Sequence, residues 1–238
     1  MKGALTVLVF ALVWQALVWA TGVPPYILPA PLAVVAALSA NAGELVASAA
    51  VTGGEVLVGM LVGTVLGIAV ALAMAVSERL RGIVRPALVM SQAVPVFALA
   101  PILTLWMGYG LGSKIVITVL IVFFPLTSVF LDGLLATPDS VLDLGRLAGA
   151  SRWRVLVWLR IPHALPALGS GLAVAAVYAP IGAVIGEWVG ASRGLGYVML
   201  MANARSKIDL MFAALAVLVA MTMCLHWLAG RLTRWLAA

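Results

Sequence analysis

Apolar runs of about 20 residues recur along this chain, and each is long enough to cross the hydrocarbon core of a bilayer as a helix. The runs fall at about 4–21, 55–76, 86–107, 113–132, 165–187 and 210–230. Charged residues are rare inside these runs and collect between them. The sequence therefore predicts an all-α, polytopic integral membrane protein with about six transmembrane helices.

The overall composition excludes a soluble globular domain. Hydrophobic residues make up 65% of the chain and charged residues 9%, whereas a soluble domain carries about 25% charged residues. The net charge of +6 could indicate a nucleic-acid partner. The basic residues lie mostly in short loops between apolar spans, however, so we expect contact with membrane lipid and none with nucleic acid. We interpret residues 1–238 as a single transmembrane domain.

The basic residues also predict the orientation of the chain. An even number of spans places both termini on one side, and a cytoplasmic N-terminus then puts ten of the 14 Lys and Arg residues on the cytoplasmic side. That set is Lys2, Arg79, Arg81, Arg85, Arg146, Arg152, Arg154, Arg160, Arg231 and Arg234. The outer set is Lys114, Arg193, Arg205 and Lys207. By the positive-inside rule, we expect both termini in the cytoplasm.

The segment 137–171 is a polar, arginine-rich island in this apolar chain. Thr137 can cap a short helix, because a hydroxyl at the N-cap position accepts a hydrogen bond from a free backbone N–H. Gly149 interrupts that helix, and Ser151 can cap a second one. Pro162 ends or bends the second helix. The pattern predicts a compact cytoplasmic projection of two short helices joined at a glycine.

No motif for catalysis or cofactor binding stands in the sequence. It lacks the phosphate-binding pattern G-x-x-x-x-G-K-[ST], a His, Cys and carboxylate cluster with metal-ligand spacing, and a nucleophile signature. We expect no catalytic, cofactor or metal site in this chain and no enzyme activity. Any energy that this chain uses must then come from a partner or from an ion gradient.

The positions of the acidic residues favour a partner. An ion-coupled secondary transporter is expected to carry ionisable groups near the middle of its spans. Here Glu55, Asp132 and Glu187 lie at probable span boundaries, and the remaining acidic residues lie in loops or at ends. Ion coupling stays open as the alternative of a different class.

Polar residues and prolines mark the third span as a candidate lining of a translocation pathway. Ser91 and Gln92 are polar near its start, and Pro95 and Pro101 free backbone carbonyls in the same helix. Such exposed backbone is tolerated in a membrane only against protein or water. Gln92 could equally hydrogen-bond a neighbouring helix.

The fifth span contains a similar set of interruptions. We expect the fifth helix to break between Tyr178 and Glu187, and either residue could belong to the pathway or gate. The alternatives are packing for Tyr178 and an ion pair with Arg193 for Glu187.

In the second span, the glycines at positions 59, 63 and 67 predict a smooth face for close helix packing.

The arginine-rich segment resembles the cytoplasmic "EAA" loop of bacterial ABC importer permeases. The shared order is an acidic residue at Asp143, then Gly149, then nine residues before the Leu159-Arg160-Ile161-Pro162 end. This chain departs from the family where Asp-Leu-Gly replaces Glu-Ala-Ala. The resemblance implies that a coupling loop of about 135–165 docks in a cleft of a separate ATP-hydrolysing subunit. The residues implicated are Asp143, Gly149, Ser151, Arg152, Arg154 and Pro162.

Each charged residue of that set has two alternative roles. Arg152 and Arg154 could form salt bridges with the ATPase subunit, or contact lipid headgroups. Asp143 could meet a basic residue of the partner, or remain a solvated acid.

Residues 93–115, 123–134 and 178–215 extend the resemblance and look like the nitrate, sulfonate and taurine class of ABC permeases. Within that class, FFPLTSVFLDGL and YAPIGAVIGEWVGASRGLGY most resemble permeases for the pyrimidine precursor of thiamine. The resemblance implies a type I ABC importer permease fold in a bacterial inner membrane. It also implies a second permease copy, two ATPase subunits that hold ATP and Mg, and an external solute-binding protein. Taurine or another sulfonate, nitrate and riboflavin remain alternative cargoes.

Overall fold

The computed structural model of the chain describes residues 2–236, except for the side chains of residues 2–4, 7 and 236. Met1, Ala237 and Ala238 belong to the predicted domain but lie outside the described residues. Within that range the chain is helical and forms no strand, which confirms the all-α class. The helices are α1 Lys2–Thr21, α2 Pro31–Ala40, α3 Ala42–Val76, α4 Glu78–Gln92, α5 Val96–Met107, α6 Leu111–Leu135, α7 Asp139–Leu147, α8 Arg152–Val155, α9 Ile161–Gly190, α10 Leu195–Ala204 and α11 Ile208–Leu236.

Several of these helices are long and apolar enough to cross a membrane. They are α3, α6, the continuous helix Arg152–Gly190 that includes α9, and α11. The bent pair of α4 and α5 adds another span if it is taken as one unit. Leu8–Thr21 of α1 forms a shorter apolar helix. The protein is therefore a multi-pass membrane protein, in rough agreement with the predicted spans.

The connector before the second span differs from the sequence prediction. Residues 21–47 contain no Lys or Arg and have prolines at positions 24, 25, 29 and 31, a pattern that predicts a stiff connector on the outer side. In the structure, residues 31–40 are helical and α3 begins at Ala42. Pro31 occupies the first turn of α2, where a missing N–H costs nothing because that donor has no partner within the helix. As a result Glu55 lies well inside α3 and not at its boundary.

The third span is two helices and not one. α4 and α5 are separated at residues 93–95, and the two differ in direction by 97°. Pro95 immediately precedes α5. Because proline disfavours helical geometry in the residue before it, α4 cannot continue through this point. The predicted single helix over 86–107 is therefore wrong, although Pro101 does lie inside α5.

The fifth span is more continuous than predicted. α8, a π-helical turn at Leu156–Arg160 and α9 run without a break from Arg152 to Gly190. Pro162 does not end this helix. Proline cannot donate to the carbonyl four residues earlier, and the π-helical turn directly before it supplies an alternative hydrogen-bond register. The expected break between Tyr178 and Glu187 is also absent.

Helices α3, α6 and α9 form the centre of the bundle. One core cluster contains Met74 of α3, Phe130 and Leu134 of α6, and Ala164 of α9. These side chains are at most 2% exposed. The centre of the bundle therefore includes α9, the helix that carries Tyr178 and Glu187.

Glycines allow α6 to approach its neighbours closely. A Cβ atom on Gly63 of α3 would lie 3.1 Å from Val122 Cγ1, and one on Gly67 would lie 2.8 Å from Leu126 Cδ2. Gly59 has even less room, against Thr118. The predicted glycine face of the second span is therefore confirmed, and its partner is α6.

This packing predicts that substitution by alanine changes the stability in opposite directions at two glycines of α3. Gly59→Ala should lower the free energy of unfolding by about 1–3 kcal/mol, because overpacking forces the helices apart. Gly54→Ala is the matched control, since no described atom outside its own stretch of helix lies within 4 Å of its Cβ position, and it should raise stability by roughly 0.5–1 kcal/mol. Unfolding of both variants in detergent would test this. Equal effects at the two sites would contradict the close contact of α3 and α6.

Candidate functional site

The predicted coupling loop forms a helix-turn-helix projection. We call residues 139–155, which span α7, the turn and α8, the docking loop. Ser151 Oγ accepts a hydrogen bond from the Arg154 N–H at 3.4 Å, so the predicted cap of the second helix is present. Gly149 has φ of +69°, a left-handed conformation that glycine adopts at low cost. Two short helices do meet at this glycine.

The predicted cap of the first helix is wrong. Pro138 occupies the N-cap position of α7 and makes no side-chain cap. The Thr137 hydroxyl instead donates to the Leu134 carbonyl at 3.3 Å and is buried. Thr137 therefore finishes the preceding helix, because a threonine hydroxyl can bond back to a carbonyl of the turn before it.

The outer surface of this region combines apolar and cationic side chains. Leu147 is 86% exposed and Trp153 is 66% exposed. Arg152 and Arg154 are exposed as well, and neither forms an ion pair within the described part of the chain. Large apolar groups beside free cations are typical of a protein-binding surface.

Asp143 is paired within its own helix. Its Oδ1 atom accepts a hydrogen bond from Arg146 Nη1 at 2.8 Å, and both side chains are largely exposed. An exposed pair three residues apart contributes only a few tenths of a kcal/mol, so it is easily exchanged for another partner. The carboxylate is therefore accessible on the surface of α7.

The docking loop is joined to the bundle through the start of the long helix. Arg160 Nη1 donates to the Ala75 carbonyl at 3.0 Å, at the end of α3. A Cβ atom on Gly145 of α7 would lie 2.8 Å from Leu159 Cδ1. Pro162 follows in the first turn of α9. α7 therefore packs directly against the first turns of the long helix.

Two predicted pathway residues lie at the bend between α4 and α5. Ser91 is partly buried, and its hydroxyl donates to the Leu88 carbonyl at 2.6 Å. Gln92 ends α4 and is exposed. Neither side chain bonds across to another helix among the described contacts.

Tyr178 and Glu187 are not neighbours. They are nine residues apart in α9, which separates them by roughly 13 Å along the axis and turns them to opposite faces. Tyr178 is 47% exposed, whereas Glu187 is 1% exposed. The structure therefore does not place these two residues in one site.

Glu187 belongs to a buried polar cluster. Its Oε1 atom accepts a hydrogen bond from the Thr52 hydroxyl at 2.6 Å. Its Oε2 atom accepts one from the Gly196 N–H at the start of α10. The ion pair with Arg193 is not among the salt bridges of the described residues. The side chain thus faces inward, toward α3 and α10.

Glu55 and Lys114 extend this cluster and were missed as site residues. Lys114 Nζ lies 3.0 Å from Glu55 Oε1, and the side chains are 7% and 1% exposed. Glu55 stands one turn of α3 after Thr52, and its Oε2 atom is buried without a hydrogen-bond partner in the described chain. Lys114 is therefore an interior cation and does not belong to the outer loop set. The sequence signal for this interior position of Lys114 was a charged residue with apolar runs on both sides.

A helical membrane bundle with a projecting helix-turn-helix loop is the arrangement that the resemblance to importer permeases predicts. In agreement, a model of the family "Binding-protein-dependent transport system inner membrane component" matches residues 63–238. The chain belongs to this family. It is a permease subunit of an ABC importer and not an enzyme, and ATP is hydrolysed by a separate subunit.

Individual relatives agree with this assignment. A probable ABC transporter permease from Haemophilus influenzae is 47% identical over 95% of this chain and 93% of its own length. The formylaminopyrimidine transport permease ThiX of Halalkalibacterium halodurans is 40% identical over 73% of this chain and 70% of its own. The riboflavin permease RibX of Chloroflexus aurantiacus is 33% identical over 96% and 86%.

A solved structure confirms the predicted type I importer fold. A chain from an inward-facing structure of the MetNI methionine ABC transporter matches with a TM-score of 0.70, covering 79% of this chain and 93% of that one. The two sequences are 20% identical, so the likeness concerns the fold alone.

Proposed function

We propose that this permease imports a pyrimidine precursor of thiamine, such as a formylaminopyrimidine or hydroxymethylpyrimidine. The observation that carries the proposal is the 40% identity to a permease named for formylaminopyrimidine transport. The stretches FFPLTSVFLDGL and YAPIGAVIGEWVGASRGLGY support the same substrate class. A relative named for riboflavin transport is 33% identical, so riboflavin is the second candidate, ahead of taurine, other sulfonates and nitrate.

We further propose a complex of two copies of this chain, two ATPase subunits and one external solute-binding protein. ATP and Mg are held by the ATPase subunits, and this chain needs no cofactor of its own. The N- and C-termini lie in the cytoplasm of a bacterial cell. With Lys114 assigned to the interior, the basic residues are distributed ten to three in favour of the cytoplasmic side, which supports this orientation.

Transport proceeds by alternating access. ATP binding closes the ATPase pair and moves the docking loop together with the long helix that begins at Arg152. The permease dimer then opens outward and receives solute from the binding protein, and hydrolysis returns it to the inward-facing state. Ser91, Gln92 and Tyr178 are candidates for the pathway.

Contacts of the docking loop divide into apolar and charged groups. Leu147 and Trp153 are exposed enough to insert between side chains of the ATPase subunit. Arg152 and Arg154 carry no ion pair in the described chain and can meet acidic residues there. Asp143 can leave its weak pair with Arg146 for a basic residue of the partner.

The cargo is tested with the cognate solute-binding protein. We expect the thiamine pyrimidines to raise its melting temperature, whereas taurine, nitrate and riboflavin do not. A ligand at 100 times its Kd stabilises a binding protein by about 2.7 kcal/mol, which is a shift of several degrees. Uptake of the same ligand by the reconstituted complex completes the test. A shift with riboflavin or a sulfonate alone would overturn the cargo assignment and leave the importer assignment intact.

A further inference from the structure

The buried cluster lies at the opposite end of the long helix from the docking loop. The helix Arg152–Gly190 contains 39 residues, so it is roughly 58 Å long at 1.5 Å per residue. Glu187 stands in its last turn. A displacement of the docking loop therefore reaches Glu187 through one continuous element.

At that end, side chains of α3 and α9 hold the start of α10. The Leu195 N–H donates to Thr52 Oγ1 at 2.8 Å, and the Gly196 N–H donates to Glu187 Oε2. These are two of the backbone donors at a helix start that have no partner within the helix. A carboxylate is favoured there because the N-terminus of a helix carries partial positive charge.

Two glycines leave the space that the Glu187 carboxylate fills. Gly194 has φ of +115°, a conformation that side chains with a Cβ rarely adopt. A Cβ atom there would collide with the Glu187 carboxylate, and one on Gly196 would lie 2.8 Å from Glu187 Oε2. The loop before α10 is thus shaped around one internal carboxylate.

We propose that Glu187 is a positioning residue that fastens α10 to α3 and α9, so that movement of the docking loop reaches α10. Each end of this connection is held by specific bonds: Arg160 to the Ala75 carbonyl near the docking loop, and Glu187 to Thr52 and Gly196 at the far end. The inference rests on the proposed role of the docking loop, since that role supplies the movement.

The expected effect of each substitution depends on the hydrogen bonds it keeps or removes, and not on charge alone. Glu187→Ala removes both acceptors and releases α10. Glu187→Gln keeps one acceptor for the Gly196 N–H and can donate to Thr52 Oγ1, so it should retain the attachment. Gly196→Ala leaves the carboxylate present but displaces it, and should behave like Glu187→Ala.

The test measures the position of α10 directly. Spin labels are placed at Glu44 of α3 and Asn203 of α10, both exposed, in a Cys224→Ser background, and the assembled complex is reconstituted in nanodiscs. The wild-type and Glu187→Gln complexes should give one narrow peak for the distance within a chain, identified by comparison with singly labelled complexes, which report only distances between the two copies. Glu187→Ala should give a second population of distances within the chain, and ATP-driven uptake of the proposed cargo should be about tenfold slower. A change of this size is within the range that single residues have on the coupling between two sites.

The outcomes separate this inference from the function it rests on. If the labelled wild type binds no ATPase subunit, the proposed docking role fails. If it binds the subunit and Glu187→Ala matches wild type in distance distribution and uptake, the positioning role is overturned. Where Glu187→Ala does not insert into the membrane, Gly196→Ala carries the same expectation. A second population in Glu187→Gln as well would also contradict the hydrogen-bond assignment.

Discussion

Lys114→Met is expected to lower the free energy of unfolding by about 3–5 kcal/mol, the cost of leaving one member of a buried ion pair without its partner. Lys114 and Glu55 are 7% and 1% exposed and lie 3.0 Å apart. Glu187 is a second buried carboxyl group of the same cluster. Removal of the only cation in the described cluster would leave two buried carboxyl groups without a counter-charge.

The matched control is the double variant Lys114→Met/Glu55→Leu. Replacing both members of a buried pair with apolar groups of similar size is often close to neutral, so we expect the double variant to be more stable than Lys114→Met alone. Reversible unfolding in mixed micelles measures both. A loss below about 1 kcal/mol for Lys114→Met, the level of an exposed pair, would show that this pair is not buried.

Gly149→Asp should weaken binding of the ATPase subunit at least tenfold, which corresponds to about 1.4 kcal/mol. Apart from its neighbours in the chain, no described atom lies within 4 Å of the Gly149 Cβ position, so the added side chain has open space in the permease and, under the proposed docking, meets the ATPase subunit. Asp also tolerates the left-handed backbone better than most residues. The docking loop itself should therefore keep its conformation.

Gly22→Asp is the control for that experiment. Gly22 also has a positive φ of +61° and open space around its Cβ position, but it follows α1 and lies outside the docking loop. Titration of the ATPase subunit against both variants in nanodiscs separates the two positions. Equal affinities for wild type and Gly149→Asp would remove Gly149 from the docking surface.

Hydropathy predicted the helical class and most spans, because a membrane helix must satisfy all of its backbone donors and acceptors internally. It could not locate the break at residues 93–95 or the continuity through Pro162. Both depend on how a proline is accommodated: one follows a helix end, and the other follows a π-helical turn. A proline in a sequence does not distinguish these cases.

The docking loop was predictable because its signals are local. The Ser151 cap and the turn at Gly149 depend on residues within one or two turns of helix. The buried cluster was not predictable in the same way. Thr52 and Glu55 of α3, Lys114 of α6 and Glu187 of α9 come from three separate parts of the chain, and only the packing of these helices joins them. The orientation of the termini and the roles of the pathway residues stay predictions.

The most direct test of the central claim is the native mass of the complex that this chain forms when it is gently solubilised from its host's membranes. We expect two copies of this permease with two copies of an ATP-hydrolysing subunit, and loss of that subunit in Gly149→Asp. A well-folded wild-type chain that carries no ATPase subunit would contradict an importer driven through the docking loop.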